Sequence, residues 1–74
     1  MNAEQAKRLH LRHQIEERQE LERKTDRQMG KALGLHPRTY RNKVIGTSQV
    51  FTYPELLTVV RILHFPDDEK LKII

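Results

Sequence analysis

Three side chains within a short stretch carry the strongest chemical signal in the chain. Arg38, Arg41 and Asn42 lie in ALGLHPRTYRNKVIG, residues 32–46. A guanidinium is a rigid fork of N–H donors that matches two acceptors on one flat edge, and a carboxamide sets a donor beside an acceptor. These are the complements of the guanine and adenine edges that duplex DNA shows in its major groove.

The same stretch has the apolar spacing of a helix that closes a core. At about 100° per residue, Tyr40 and Val44 fall together and face inward. Arg38, Arg41, Asn42 and Ile45 fall on the opposite side, within an arc of about 100°. Arg38 and Asn42, one turn apart, are separated by about 6 Å along the axis. Lys43 lies to one side of this arc, better placed for a phosphate. Thr39 on its flank, and Thr47, Ser48 and Gln49 in the loop beyond, can donate to phosphates too.

The charge distribution points the same way. The net charge of +4 is uneven. Residues 1–24 hold six Lys/Arg against five acids, residues 25–48 five against one, and residues 49–74 three against four. A basic excess confined to the middle third points to a polyanionic partner, whereas evenly spread charge serves solubility.

The remaining chemistry is sparse. A chain of 74 residues buries little apolar surface and has no room for a deep cleft, so no enzyme is expected. Without cysteine there is neither a disulfide nor a thiolate metal site. The polar opening MNAEQAKRLHLRHQ is unlike a secretory signal, and the longest apolar run, LLTVV, is too short to span a membrane. A reducing cytoplasm is the expected location. His10 and His13 are spaced to share a metal but have no third ligand in view, so neither metal nor cofactor is expected. His64, Ser48 and an acid form no recognisable triad. The glycines lack a phosphate-loop pattern, and Tyr40 and Phe51 are core fillers rather than a stacking platform for single strands or RNA.

Five helices are predicted to position the Arg/Asn arc. The first covers most of residues 1–24, with Leu11 and Ile15 on its inner side, Arg18 and Leu21 flanking them, and Leu9 off the stripe. Glu16, Glu17, Glu20 and Glu22 alternate with Arg18 and Arg23 as surface ion pairs. Residues 1–10 are expected to be a frayed extension and residues 11–74 a single domain. Thr25 and Gln28 form a capping box that opens a second helix, with Asp26 at its positive end, Met29, Ala32 and Leu33 inward, and Gly34 as its stop. Gly30 implies close approach of another backbone, expected to be the next helix. Pro37 opens the third helix and Gly46 ends it. His36 stands at its start, where partial protonation would add to the basic patch. Thr52 and Glu55 cap a fourth helix whose Leu56, Leu57, Val60 and Leu63 face the core, with Val59 and Ile62 beside them. Pro66 is expected to break it, and DDEKLKII to make a fifth.

Residues 25–46, TDRQMGKALGLHPRTYRNKVIG, resemble the helix-turn-helix of phage Cro and the lambda-repressor family, the XRE class of bacterial and prophage regulators. The likeness extends through FTYPELLTVVRIL to DDEKLKII, about two-thirds of the chain. It implies an all-α, five-helix lambda-repressor-like domain. Gly30 takes the family's small-residue position, Gly34 the turn glycine, Leu35 the buried residue after it, Tyr40 the buried aliphatic position, and Gly46 the closing glycine. Pro37, Arg38, Thr39, Arg41 and Asn42 fall on the base-facing positions. Two departures stand out. Asp26 replaces the glutamine that often grips a phosphate, and Ile45 replaces the asparagine that often precedes the closing glycine. The phosphate grip would then be looser, or carried by Arg27, Gln28 and the loop of Thr47, Ser48 and Gln49.

The resulting expectation is a sequence-specific double-stranded DNA-binding transcriptional regulator, a Cro-like repressor that inserts helix 37–45 into the major groove. A homodimer on a pseudo-palindromic operator follows, because one recognition helix reads only a few base pairs. Leu71, Ile73 and Ile74 are the candidate dimer residues. The competing class is a prophage-type antirepressor or adaptor that uses the same fold on an acidic protein partner.

Overall fold

The computed structural model describes the backbone of residues 3–73 and the side chains of residue 6 and residues 9–70. The dimer candidates Leu71, Ile73 and Ile74 lie outside the described side chains. The chain is all-helical: α1 (Ala3–Leu21), α2 (Asp26–Leu33), α3 (Pro37–Ile45), α4 (Tyr53–Ile62) and α5 (Asp67–Ile73). Among the described residues, no helix is long and apolar enough to cross a membrane.

Local chemistry sets the helix starts. Thr25 and Gln28 form the expected capping box at α2, as do Thr52 and Glu55 at α4. Each box satisfies two backbone N–H groups that a helix start would otherwise leave unpaired. At α3 the cap is His36, whose Nδ1 accepts from the Arg38 N–H at 3.1 Å. That bond needs a lone pair on Nδ1.

Three helices end alike. The N–H of Leu35 donates to Gly30 O, that of Lys24 to Gln19 O, and that of Phe65 to Val60 O. In each, the preceding residue is left-handed: Gly34 at φ 72°, Arg23 at 54° and His64 at 54°. This is the Schellman closure, and only the first has the glycine that announces it in a sequence. α4 consequently ends at Ile62, ahead of the Pro66 expected to break it. Phe65, left just outside the helix, folds back into the core.

The core joins Ile15 of α1, Met29 of α2, Tyr40 and Val44 of α3, and Val59, Val60 and Leu63 from α4 and its end, closed by Phe51 and Phe65. The Tyr40 and Phe51 rings lie 5.8 Å apart, tilted by 57°. Leu56 and Ile62 only flank this core. Leu57 was expected inside but points outward. On a helical wheel Leu56, Val59, Val60 and Leu63 share one side, and Leu57 falls well off it. Leu21 is likewise on the surface.

Gly30 is where α2 meets the turn to α3. A Cβ there would stand 2.7 Å from Leu35 O and 3.4 Å from Pro37 N. The close neighbour is thus the turn and the first residue of α3 rather than the body of that helix. Any side chain at position 30 would force the two helices apart.

Candidate nucleic-acid interface

α3 is held on three sides before any partner is considered. Its inner face sits in the core through Tyr40 and Val44, both fully or almost fully buried. The Tyr40 hydroxyl donates to Gln19 Oε1 of α1 at 2.6 Å. Burial, and after it the nearby Asp26 charge, pushes the Tyr40 phenol well above the usual tyrosine range, so it stays a donor. Gln19 in turn donates through Nε2 to Lys24 O at 3.2 Å and to Asp26 Oδ1 at 3.1 Å.

Asp26 completes this network with Arg41. Arg41 Nε donates to Asp26 Oδ2 at 2.9 Å and Nη2 to Oδ1 at 2.7 Å, a two-bond fork. Glu16 of α1 adds a third carboxylate contact at 3.5 Å from Nη1. The Arg41 bond holds the Asp26 carboxyl below its ordinary range, against the effect of burial, and Asp26 raises Arg41 reciprocally. The expectation that Arg41 stands free beside Arg38 and Asn42 is therefore corrected. Its guanidinium turns back toward α1 and α2, where the carboxylates of Asp26 and Glu16 are within its reach.

Lys43 is corrected in the same way. Its Nζ lies 2.8 and 2.9 Å from the two carboxylate oxygens of Glu55, and both side chains are mostly buried, at 15% and 17% exposure. Burial disfavours the Glu55 charge, but the bonds from Lys43 and from the Thr52 N–H outweigh it and hold the carboxyl below its ordinary range. Lys43 thus ties α3 to the start of α4.

Arg38 is exposed, and Thr39 and Asn42 are half-buried on α3. Arg27 and Gln28 on α2 are exposed, as are Thr47, Ser48 and Gln49 after α3. Gln28 spends its carbonyl oxygen on the Thr25 N–H at 2.9 Å, which leaves its amide N–H groups for a partner.

The charges that remain are not where a count along α3 puts them. Residues 23–54 carry seven Lys/Arg and a single acid, Asp26. With Arg41 and Lys43 paired, Arg23, Lys24, Arg27, Lys31 and Arg38 are left without an acidic partner among the described residues. Arg27 and Lys31 lie one turn apart, on the side of α2 away from buried Met29 and Gly30. The electropositive surface therefore runs from the α1–α2 turn along α2 to the start of α3.

Two residues that shape this surface carry no sequence signal: Gln19 looks like a solvated helix residue and Lys31 like any lysine late in a helix. Glu16 and Glu55 are legible as an ion-pair residue and a capping residue, but not as the partners of Arg41 and Lys43. Arg18 was read as a surface ion-pair residue, and its pair with Glu22 is present at 3.1 Å. It also donates to Leu63 O at 2.9 and 3.1 Å and to His64 O at 2.7 Å, capping the end of α4. Among the described residues, no group of three or more metal-ligating side chains comes together. No protein-family model, curated protein or solved structure matches this chain.

Proposed function

We propose that this protein binds double-stranded DNA in a sequence-dependent manner and acts as a transcriptional regulator of the Cro-like, helix-turn-helix kind. The α2–turn–α3 unit is the binding motif. α3 enters the major groove, Arg38 takes a guanine edge and Asn42 an adenine edge, with Thr39 beside them. Arg27, Lys31, the Gln28 amide and the loop of Thr47, Ser48 and Gln49 take phosphates. Repression by occupancy, as a homodimer on a pseudo-palindrome, is the simplest mode for a chain with so little other chemistry.

The observation that carries this reading is the sorting of charge. Asp26 and Glu55 are consumed in pairs with Arg41 and Lys43, while four cations, Arg23, Lys24, Arg27 and Lys31, accompany Arg38 and Asn42 of α3 without an acidic partner among the described residues. Folding alone does not require that arrangement.

A second reading is an adaptor that docks its basic surface on an acidic protein, favoured by Asp26 and Ile45, which stand where the resembled helix-turn-helix pattern often has amides. Gel shifts against random-sequence duplex at several salt concentrations separate the two. Log K should fall linearly with log salt if phosphates are neutralised, with a slope of about −0.9 per contact. Absence of any shift at about 50 mM salt would favour the adaptor.

A further inference from the structure

The pairing of Arg41 with Asp26 places a cation at the heart of the basic surface and then disables it. Arg41 lies one position before Asn42 and three after Arg38. Its guanidinium is clamped at 2.7 and 2.9 Å by Asp26 and steadied by Glu16 at 3.5 Å. The clamp is itself braced. Gln19 holds Asp26 Oδ1 at 3.1 Å and is anchored by the Tyr40 hydroxyl and the Lys24 carbonyl, so the carboxylate cannot swing away alone. Yet the pair is not sealed: Arg41 and Asp26 keep 31% and 33% of their side-chain surface exposed, so solvent and an incoming phosphate can reach it.

We propose that Asp26 is a positioning residue that withholds Arg41 from the phosphate backbone and so sets the electrostatic part of duplex affinity below what the chain's own cations could supply. This rests on the DNA-binding reading above. A guanidinium in a two-bond fork with a carboxylate has its best donors used and its charge neutralised within a few ångströms. A phosphate that recruits it must first break that fork, and the uncovered Asp26 then repels the phosphate. No other acid stands between residues 23 and 54, so the restraint is concentrated at one side chain.

The test uses the full chain and a random-sequence duplex, with affinity measured from about 50 to 200 mM salt. Asp26→Asn keeps the size and the oxygen that Gln19 bonds but removes the charge that holds Arg41. It should bind more tightly, with a log–log salt slope steeper by about 0.9, one further phosphate. Its advantage over the parent should then shrink by about 3.5-fold across that fourfold rise in salt. The double variant Asp26→Asn/Arg41→Gln replaces the ion pair by two amides, a packing the fold tolerates more readily. It should return to the parent slope.

A purely structural role for Asp26 would alter thermal stability but leave the salt slope unmoved. If the parent binds and Asp26→Asn shows the parent's slope, the inference falls while the DNA reading stands. A double variant whose slope is shallower than the parent's by about 0.9 would mean that Arg41 already grips a phosphate, which also overturns it. If parent and Asp26→Asn are both silent at about 50 mM salt, the DNA reading falls and takes the inference with it.

Discussion

The Tyr40 hydroxyl donates to Gln19 Oε1 at 2.6 Å, joining the inner face of α3 to a buried amide on α1. This bond sets the rotation of α3 about its own axis. With Tyr40 pinned inward, Arg38 and Asn42 are carried to the opposite side. Gln19→Leu should leave the phenol without an acceptor and cost about 1–3 kcal/mol, the desolvation penalty of an unpaired buried group. Tyr40→Phe leaves Gln19 Oε1 without its donor but keeps both bonds from Nε2, and should cost less than Gln19→Leu, which loses all three. Urea unfolding of both variants checks the order, and a Gln19→Leu chain as stable as the parent would remove the bond from the account of α3's placement.

Arg38 is the one guanidinium on α3 that faces solvent without an acidic partner among the described residues. Arg38→Ala should cost about 1–3 kcal/mol on the preferred duplex and blur preference at one base position. Asn42→Ala should do the same at a different position. Selection of bound duplexes from a random pool, run for each variant, gives the readout. An Arg38→Ala pool with undiminished preference would take base reading away from this residue.

Lys43 behaves as a structural cation. Lys43→Ala should leave the salt slope of duplex binding unchanged and lower stability instead, since it strands the mostly buried Glu55 carboxylate. A double-mutant cycle with Glu55→Ala should give a coupling above the ~1 kcal/mol typical of exposed pairs. A slope shallower by about 0.9 in Lys43→Ala would return Lys43 to the phosphate contacts.

Acid should unfold the protein through Asp26 and Glu55. Arg41 holds the first carboxyl below its ordinary range. At the second, burial works the other way but the bonds from Lys43 and Thr52 prevail. Groups whose folded pKa lies below the unfolded value add stability that is complete above the unfolded value and is lost as pH falls through the folded one. Urea midpoints should therefore be flat near neutrality and fall below about pH 5. Asp26→Asn combined with Glu55→Gln should flatten that fall, and an unchanged acid limb in the double variant would place the titrating groups elsewhere.

Much of this architecture is local, and so it was legible in the chain itself. The capping boxes Thr25/Gln28 and Thr52/Glu55, Pro37 opening α3, the stops at Gly34 and Gly46, and the inward pair Tyr40 and Val44 each depend on residues within a turn or two of one another. Backbone sterics and the 3.6-residue period act over that range. The left-handed closures at Arg23 and His64 are just as local, but they carry residue types that do not announce them.

Which cations stay free was a matter for the tertiary structure. Arg41 meets Asp26 across 15 positions, Lys43 meets Glu55 across 12, and Arg18 reaches the Leu63 carbonyl across 45. Each pair forms because packing sets two helices at a given rotation and spacing, and a hydrogen bond demands contact within about 3 Å. A count of charges along the chain determines the total and its rough place. Only the packed helices decide that Arg41 and Lys43 are spent, and that Arg23, Lys24, Arg27, Lys31 and Arg38 are not.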